Sequence, residues 1–568
     1  MITFFQKDGV VYAVESGCEI GVENEMKLSW LFSDASKVES AEVEGVFIGN
    51  RREMVSPWST NAVEITRNMG LKGITRIEMF VRSEGEADPM LQEVYHNLTQ
   101  DIFLQKCEPE PIRYIDDLRE YTQSEGLALS EEEVCYLESL SHKLKRKLTD
   151  SEVFGFSQVN SEHCRHKIFN GDFVIDGQTM PSSLFGLIKK TSKEHPNRLV
   201  SAYKDNVAFV EGPAAEQFSP ARHDQADFFH TRNIETVLSL KAETHNFPTT
   251  VEPFNGAATG SGGEIRDRMA GGIGSIPMAG TAVYMTSYPR LSDGKAWEEN
   301  CIPRKWLYQS PAEILIKASN GASDFGNKFG QPLICGSLFT FEHQENNKSF
   351  GFDKVIMLAG GIGHANKKHA LKKDAETGNN VVVLGGDNYR IGMGGGAVSS
   401  VATGEFSKSI ELNAVQRSNP EMQKRVFNAI RAMAEMDENP IVSIHDHGAG
   451  GHLNCLSELL ETTGGNIEID RLPIGDKTLS AKEIIGNESQ ERMGLLLKDK
   501  DINLLQQIAE RECAPMYVVG KATGDKRLQF QQSDTEIYPI DLGIEDLFGN
   551  PPKTVMNDST VIENFKPI

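Results

Sequence analysis

At 568 residues, the chain is long enough for three or four domains with separate hydrophobic cores. Its 58 lysines and arginines against 81 aspartates and glutamates give a net charge of −23, which argues against a nucleic-acid-binding protein, because such a protein needs a basic face. Eight cysteines without CxxC spacing indicate neither a zinc site nor a disulfide framework, so we expect free thiols in the cytoplasm, and no apolar run approaches the ~20 residues of a membrane span.

The first domain, residues 1–85, alternates short predicted strands and helices. Its hydrophobic pattern predicts strands at 10–14, 44–48 and 76–81, with helices at 23–32 and 59–69. This order is typical of a small ferredoxin-like α+β sandwich, and nothing in it looks catalytic.

Residues 86–150 turn acidic and contain few glycines, which predicts a helical linker. Ser130 and Glu133 form a capping box, and apolar residues follow it at helical spacing. The acidic run from Glu131 to Glu133 is therefore interpreted as a favourable helix start.

A third domain is predicted at 151–370, and its first motif is FSQVNSEHCRHK, from Phe156 to Lys167. His163 and His166 are three residues apart, so they would point the same way from one helix. The spacing would also suit zinc, but no third and fourth ligand follow nearby. A buried, satisfied histidine pair remains the alternative to a site. Cys164, between them, is interpreted as a packing residue.

The segment from Lys241 to Asp267, KAETHNFPTTVEPFNGAATGSGGEIRD, has the densest set of candidate site residues. Strand periodicity puts Lys241, Glu243 and His245 on one face. The following run, Gly256 to Gly263, has almost no side-chain bulk, which predicts a loop whose backbone N–H groups approach phosphate oxygens. Glu243 and Asp267 can bind Mg²⁺, and Lys241 can neutralise phosphate, as can Arg266. The alternative is a glycine-rich surface loop beside a charged strand.

A fourth domain is predicted at 371–545, followed by a tail at 546–568. The glycine-rich turn at 385–396 follows a predicted strand and is either a second nucleotide site or a tight packing turn. IHDHGAGG, from Ile444 to Gly451, lies between a strand and a helix, a favoured place for a ligand. NESQERM, from Asn487 to Met493, is either a helix cap or a polar site.

These motifs, together with GASDFGNKFGQPLICG from Gly321 to Gly336, resemble phosphoribosylformylglycinamidine synthase of the large single-chain type, in the family's order. The resemblance spans essentially the whole chain. It implies a ferredoxin-like assembly domain, a linker and the first half of a synthetase of the aminoimidazole-ribonucleotide-synthetase type, with A1- and B1-type subdomains.

The resemblance also implies roles for individual residues. It makes His163 and His245 catalytic and Glu243, Asp267 and Asp446 metal ligands. The implied ATP-binding residues are His166, Lys241, Gly256, Ala257, Ala258, Thr259, Gly260, Ser261, Gly262, Gly263, Glu264, Ile265, Arg266 and Asp267. The implied substrate-binding residues are Thr244, His245, Asn246, Phe247, Arg266, Gln416, Glu488, Ser489 and Gln490.

The family activity converts formylglycinamide ribonucleotide (FGAR) into formylglycinamidine ribonucleotide (FGAM), with ATP and Mg²⁺ activating an amide as an iminophosphate. Ammonia comes from a glutaminase domain, and a second synthetase half completes the site. Neither is recognisable in this sequence, so we expect an N-terminal portion that is inactive alone. Two alternatives are a related ATP-dependent enzyme, such as a selenophosphate synthetase, and a nucleotide-binding assembly module without chemistry.

Overall fold

The structure is a computed structural model that describes residues 1–52, 55–83, 85, 87, 92–104, 108–291, 294–299, 301–302, 309–352, 354–389, 392–399, 414–416, 418–489, 491–533, 535–549 and 551–562. The chain divides into two compact units. The first contains Met1–Glu110 with the short pieces Asp387–Arg390 and Ile474–Leu479, and the second contains the rest. Of the helices described, none is both long and apolar enough to cross a bilayer.

The first unit is an α+β sandwich, as predicted. Its elements are β1 (Ile2–Lys7), β2 (Val10–Ser16), α1 (Val22–Leu31), β3 (Ser36–Lys37), β4 (Val43–Asn50), α2 (Pro57–Asn68), β5 (Ile74–Arg82) and β6 (Gln92–Leu98). The strands form one antiparallel sheet in the order β3-β1-β2-β5-β4-β6. Successive strand residues face opposite sides, so Phe5 packs toward the helices while Phe4 packs in a second cluster.

The predicted end of this domain at residue 85 is too early. Strand β6 lies beyond it and pairs with β4, because the apolar Val94 and Tyr95 continue the sheet. Strand β1 was also missed by the sequence pattern.

The linker helices are α3 (Leu118–Glu125), α4 (Glu131–Leu144) and α5 (Asp150–Val159). The capping box of α4 is confirmed, since Ser130 N donates to Glu133 Oε2 at 2.9 Å and Glu133 N donates to Ser130 Oγ at 3.2 Å. Helix α5 is buried along its whole length.

The second unit contains two main sheets. The elements up to the end of the first sheet are α6 (Glu162–Arg165), α7 (Lys167–Asn170), β7 (Asp172–Ile175), β8 (Gln178–Thr179), α8 (Leu184–Glu194), β9 (Leu199–Ser201), β10 (Ala208–Pro220), β11 (Phe229–Thr244), α9 (Asn246–Val251), α10 (Pro253–Met269), β12 (Ile276–Thr286), α11 (Pro311–Phe329), β13 (Leu333–Thr340), β14 (Glu342–Glu345), β15 (Lys348–Gly351) and β16 (Ile356–Asn366). This sheet has the order β13-β12-β16-β11-β10-β9, with α10 and α11 packed on it.

The second sheet has the order β18-β20-β17-β21-β19-β22-β23. The elements of this part are β17 (Asn380–Gly385), α12 (Gly395–Ser399), α13 (Pro420–Ala434), β18 (Ser443–Asp446), α14 (Gly451–Leu459), β19 (Gly465–Glu468), α15 (Ala481–Gly486), β20 (Arg492–Leu497), α16 (Ile502–Arg511), β21 (Met516–Ala522), β22 (Arg527–Gln531), β23 (Ile540–Gly543) and β24 (Val555–Asp558). Strand β24, in the predicted tail, pairs in parallel with β7.

The predicted boundary at 370/371 separates the two sheets but not their cores. Ile265 and Phe325, from helices on the first sheet, share one cluster with Ile430 and Leu495 from the second. This common core brings the end of β11, helix α10 and the end of β18 together, and most of the predicted site residues lie there.

Candidate functional site

The site is built around Lys241, near the carboxyl end of β11. Helix α10 packs across this strand and carries Asp267 toward it. The Nζ atom of Lys241 is 2.5 Å from Asp267 Oδ2 and 3.2 Å from Glu243 Oε2. One ammonium group therefore bridges the two acidic residues that the sequence suggested as Mg²⁺ ligands.

Asp446 joins this cluster from the other sheet, where it ends β18. Its Oδ1 accepts a hydrogen bond from Asn206 Nδ2 at 2.9 Å and lies 3.4 Å from His445 Nδ1. Its carboxyl group also interacts with that of Asp267, which interacts in turn with Glu243. The structure thus brings together three acidic residues that are separated by up to about 200 positions in the sequence.

The three carboxyl groups have different proton affinities. Desolvation and the charge of Asp267 raise the pKa of Glu243 to about 8 and that of Asp446 to about 6. Desolvation opposes ionisation of Asp267 as well, but the Lys241 charge and hydrogen bonds hold its pKa below the usual value. Besides desolvation, the raised pKa values of Glu243 and Asp446 reflect negative charge that the nearby cations do not fully compensate.

This donor set fits a divalent cation in its chemistry. Carboxylate oxygens are hard ligands that Mg²⁺ prefers, and a cation would relieve the crowding of negative charge. In the described part of the chain, however, no three His, Cys, Asp or Glu side chains are already arranged as metal ligands. A bound Mg²⁺ would compete with the Lys241 ammonium for the same oxygens.

The two predicted catalytic histidines are neutral and lie near this cluster. Desolvation, with the nearby His163, lowers the pKa of His245 to about 3. Desolvation, His166 and Lys241 also lower the pKa of His163. The Nε2 atom of His245 is buried and has no hydrogen-bond partner among the residues described. Both rings are therefore neutral near pH 7 and can form hydrogen bonds with a ligand.

The spacing of His163 and His166 predicted that they share one face of a helix, but in the structure they do not. Helix α6 ends at Arg165, and His166 follows with φ of 50°, in the left-handed region. Its ring is exposed and lies 6.2 Å, centroid to centroid, from that of Phe185.

The predicted phosphate-binding loop at 256–263 is wrong, because these residues form the middle of helix α10. A Cβ atom at Gly256 would lie 2.3 Å from the carbonyl carbon of Pro248, and one at Gly260 would lie 2.9 Å from His245 Cβ. A Cβ atom at Gly263 would lie 2.5 Å from Glu243 Oε1. The glycines therefore let the helix approach the site residues, while their N–H groups donate within the helix.

Several other α10 residues of the predicted ATP-binding set are buried within the protein. The carboxylate of Glu264 is buried, and it accepts hydrogen bonds from Arg268 Nε at 2.8 Å and from Gln331 Nε2 at 2.7 Å. The remaining side chains of this group lie in the hydrophobic core and are those of Ala257, Ala258 and Ile265.

Arg266 is also buried, between α10 and α13. Its Nη1 donates to Gln423 Oε1 at 2.8 Å, and Gln423 Nε2 donates to the Gly262 carbonyl at 3.1 Å. Desolvation lowers the pKa of this guanidinium, and its Nε has no partner within the described residues. The hydroxyls of Thr259 and Ser261 are likewise buried and without a partner there.

The predicted substrate residues after β11 divide into two kinds. Thr244 is exposed at the end of the strand. Asn246 Oδ1 accepts a hydrogen bond from Met357 N at 3.0 Å, and Phe247 is buried. Asn246 and Phe247 therefore help to hold the strand end in place, and the exposed Thr244 can contact a ligand directly.

Glu488 links three loops instead of presenting a free carboxylate. Its Oε1 accepts hydrogen bonds from Gly450 N at 3.1 Å and Gly396 N at 3.3 Å, and its Oε2 accepts one from Gln416 Nε2 at 3.2 Å. Burial raises the pKa of Glu488 to about 7 despite these donors. Gly396, in the turn at 385–396, thus packs against Glu488.

Two other predicted substrate residues retain unused polar atoms. Ser489 Oγ and Gln416 Oε1 are buried and have no partner in the parts of the chain that are described. Gln490 lies outside the described residues.

The sequence pattern missed four polar residues of this region. Asn206, from the loop before β10, orients Asp446, and Glu458 forms an ion pair with His445. Arg492 Nη1 and His452 Nε2 form a hydrogen bond of 2.8 Å. His452 directly follows the motif HDHGAGG and Arg492 ends the motif NESQER, and only these places could have suggested them; nothing in the sequence pointed to Asn206.

Comparison with known proteins gives three family matches. The N-terminal domain of formylglycinamide ribonucleotide amidotransferase matches residues 9–103, and its linker domain matches residues 118–167. The C-terminal domain of AIR synthase related proteins matches residues 376–532.

Solved structures give a similar result. T. maritima PurL complexed with FGAR is 23% identical, with a TM-score of 0.52, over 76% of this chain and 58% of that chain. T. maritima PurL complexed with ATP is 21% identical with a TM-score of 0.49, and phosphoribosylformylglycinamidine synthase II from Thermotoga maritima is 22% identical with the same TM-score. Each of these two comparisons covers 76% of this chain and 57% of the other. The chain spans little more than half of these proteins, and the first comparison supports the synthetase fold.

Proposed function

We propose, from the premise that this chain is an FGAM synthase-type protein, that it binds FGAR and ATP and takes part in converting FGAR into FGAM in purine biosynthesis. The observation that carries the proposal is the convergence of Glu243, Asp267 and Asp446 around Lys241, beside two neutral histidines. A cytoplasmic location is part of this proposal.

The chemistry requires activation of an amide. Its oxygen is a poor leaving group, so the γ-phosphoryl group of ATP is transferred to it and gives an iminophosphate. Ammonia then attacks the carbon, and phosphate leaves. The protein has to position the amide against ATP and to neutralise charge on the phosphoryl group.

The residues of this chain suit those tasks. The Lys241 ammonium, held between Asp267 and Glu243, can compensate phosphate charge without being free to rotate away. His163 and His245 are neutral at pH 7, so either ring can polarise the amide through a hydrogen bond, and proton transfer from the attacking ammonia is assigned to His163, because the pKa of His245, at about 3, makes it a weak base. Thr244 and Ser489 are the nearest candidates for direct substrate contacts.

Mg²⁺ would be held by Glu243, Asp267 and Asp446 and would supply further charge neutralisation at phosphate oxygens. Glu243, with a pKa of about 8, would have to lose its proton to serve as a ligand. Metal binding should therefore release protons and become tighter as the pH rises.

The proposal includes two further parts of the enzyme. This chain covers 58% of T. maritima PurL complexed with FGAR. We propose that a second synthetase half completes the site and that a glutaminase delivers ammonia. This chain alone would then bind its ligands with little or no turnover.

Isothermal titration with FGAR and with ATP plus Mg²⁺ tests the binding claim. Asp267→Asn should weaken Mg²⁺-dependent ATP binding by about tenfold, because one charged ligand is lost. Asp116→Asn is a matched control, since Asp116 is exposed and forms an ion pair with Lys147 on the surface, away from the proposed ligands. Equal effects of both substitutions would contradict the proposed site.

A second candidate function is a nucleotide-binding assembly module without chemistry. The Lys241–Asp267 ion pair favours it, because the pair occupies carboxylate oxygens that a metal would need. Addition of the missing synthetase half, FGAR, ATP and ammonia separates the two: FGAM formation supports the enzyme, and binding without product supports the module.

A further inference from the structure

A buried set of side chains connects the loop after β18 to the segment before β20. His447 Nε2 lies 3.0 Å from His452 Nδ1, with the two rings nearly perpendicular. His452 Nε2 lies 2.8 Å from Arg492 Nη1. Arg492 is fixed in turn, since Nη2 donates to the Asn487 carbonyl at 2.7 Å and Nε donates to the Ser489 carbonyl at 2.9 Å. The two histidines and the arginine are completely buried.

The geometry determines where the protons lie in this set. A guanidinium group has no acceptor and stays protonated, so Arg492 donates and His452 Nε2 accepts. A neutral imidazole carries one N–H, so the His452 proton is on Nδ1 and is donated to His447 Nε2. His447 therefore carries its own proton on Nδ1. Desolvation and the charge of Arg492 lower the pKa of both histidines, which agrees with two neutral rings.

The last donor of the set has no acceptor among the described residues. His447 Nδ1 is buried and has no hydrogen-bond partner in the described part of the chain. Buried polar atoms normally have partners, and an unused donor next to Asp446 indicates that something other than these residues supplies one. Because Nδ1 carries a proton, it cannot act as a metal ligand beside Asp446.

The neighbouring His445 behaves differently and does not take this role. Its Nε2 pairs with Glu458, and its Nδ1 lies 2.9 Å from the Asp446 carbonyl oxygen. Both nitrogens face acceptors, so both are already used as donors. Of the two histidines that flank Asp446, only His447 presents an unused N–H.

We propose that His447 donates its Nδ1–H to an oxygen atom of the ligand bound beside Asp446, and that His452 and Arg492 are positioning residues that hold His447 in this tautomer. The acceptor is a phosphate or an amide oxygen, which FGAR and ATP can supply between them. The identity of the ligand rests on the proposed function, whereas the tautomer rests on the hydrogen-bond geometry alone.

Nitrogen-15 NMR of histidine-labelled protein tests the tautomer without any ligand. His447, assigned by its loss in His447→Asn, should show a protonated Nδ1 and an unprotonated Nε2. A protonated Nε2, or a charged ring, would overturn the proposal. This measurement does not depend on activity or on the proposed function.

Binding experiments test the acceptor. His452→Leu removes the donor to His447 Nε2 and should weaken binding of FGAR or of ATP by about three- to tenfold, because the tautomer is no longer fixed. His452→Gln can accept from Arg492 and donate to His447, so it should restore affinity to within about twofold. The ligand whose affinity falls is the one that supplies the oxygen.

The outcomes separate the proposal from a merely structural role. If both variants lower the melting temperature but leave both dissociation constants unchanged, His447 does not contact the ligand. If His452→Leu fails to fold, His447→Leu against His447→Asn makes the same comparison, since asparagine keeps a donor near the Nδ1 position. If the wild-type chain binds neither ligand, the proposed function and the acceptor both fail, while the NMR spectrum still decides the tautomer.

Discussion

Replacement of Lys241 by methionine tests the central electrostatic interaction of the site. Methionine has a similar length and no charge, so the substitution removes the ammonium group and leaves most of the packing. In the native structure this group lies 2.5 Å from Asp267 Oδ2 and 3.2 Å from Glu243 Oε2. The variant keeps both carboxyl groups close together without a cation between them.

The expected loss is large because the partners are mostly shielded from water. The side chain of Lys241 is 16% exposed, and that of Asp267 is 7% exposed. Removing one member of a buried ion pair typically costs about 3 kcal/mol or more, since the remaining charge stays uncompensated. We expect the free energy of unfolding to fall by about 3 kcal/mol at pH 8.

The loss should depend on pH with a definite sign. Without Lys241, the folded variant binds protons at Asp267 and Glu243 more tightly than the unfolded chain does. A carboxyl group whose pKa is raised by folding makes the folded state less stable as the pH rises above its pKa in the unfolded chain. The free energy of unfolding of the variant should therefore be reduced more at pH 8 than at pH 5. Native Asp267 works in the opposite direction, since its lowered pKa adds stability that is lost only as the pH falls through its folded value.

Urea unfolding followed by circular dichroism at pH 5 and pH 8 measures both effects. Lys500→Met is the control, because Lys500 is exposed on the surface. The reasoning would be refuted if Lys241→Met lowered the free energy of unfolding as little as the control does, or by the same amount at both pH values.

Three further predictions concern the helix and the buried titratable groups. Gly256→Ala should lower stability by about 1–3 kcal/mol despite the better helix propensity of alanine, because its Cβ meets the Pro248 backbone; Gly17→Ala, whose nearest atom is 3.9 Å away, is the control in thermal unfolding. Glu488→Gln should lose less stability at pH 8 than at pH 5, since the pKa of native Glu488, raised to about 7, makes the wild type less stable as the pH rises; equal losses in urea unfolding would contradict this. Because the pKa of His245 is lowered to about 3, its ring should not titrate in NMR between pH 5 and 8, and a ring that titrates near pH 6.5 would show that it is not desolvated. For the same reason the wild type should lose stability as the pH falls below about 6.5, and His245→Gln should lose less.

Local sequence patterns predicted many of the secondary-structure elements. The capping boxes at Ser130 and Ser310 start α4 and α11, because both hydrogen bonds of such a box form between residues three apart. Helix α11 continues to Phe329 and stops at Gly330, which has φ of 94°. The apolar face of α11 includes Phe325 and Phe329, and their packing in the shared core stabilises the last turns of this helix.

The glycine-rich segment is the clearest failure of local reasoning. A run of glycine with small residues is typical of a loop, since glycine is a poor helix former. In this fold the same residues form the buried helix α10, because only residues without bulk let the helix pack against Pro248 and His245. The energy of that packing outweighs a weak local preference, and it cannot be read from the segment itself.

The sequence by itself determined which residue types are present, the strand that places Lys241 and Glu243 on one face, and the family resemblance that selected Asp267 and Asp446. Only the tertiary structure decided that these groups meet around one ammonium ion, that Glu264 and Glu488 are occupied by protein donors, and that Arg492 fixes two histidine tautomers. The physical reason is that hydrogen bonds and ion pairs act over a few ångströms, while the partners lie tens to hundreds of residues apart. Folding of the shared core is what converts that separation in sequence into contact.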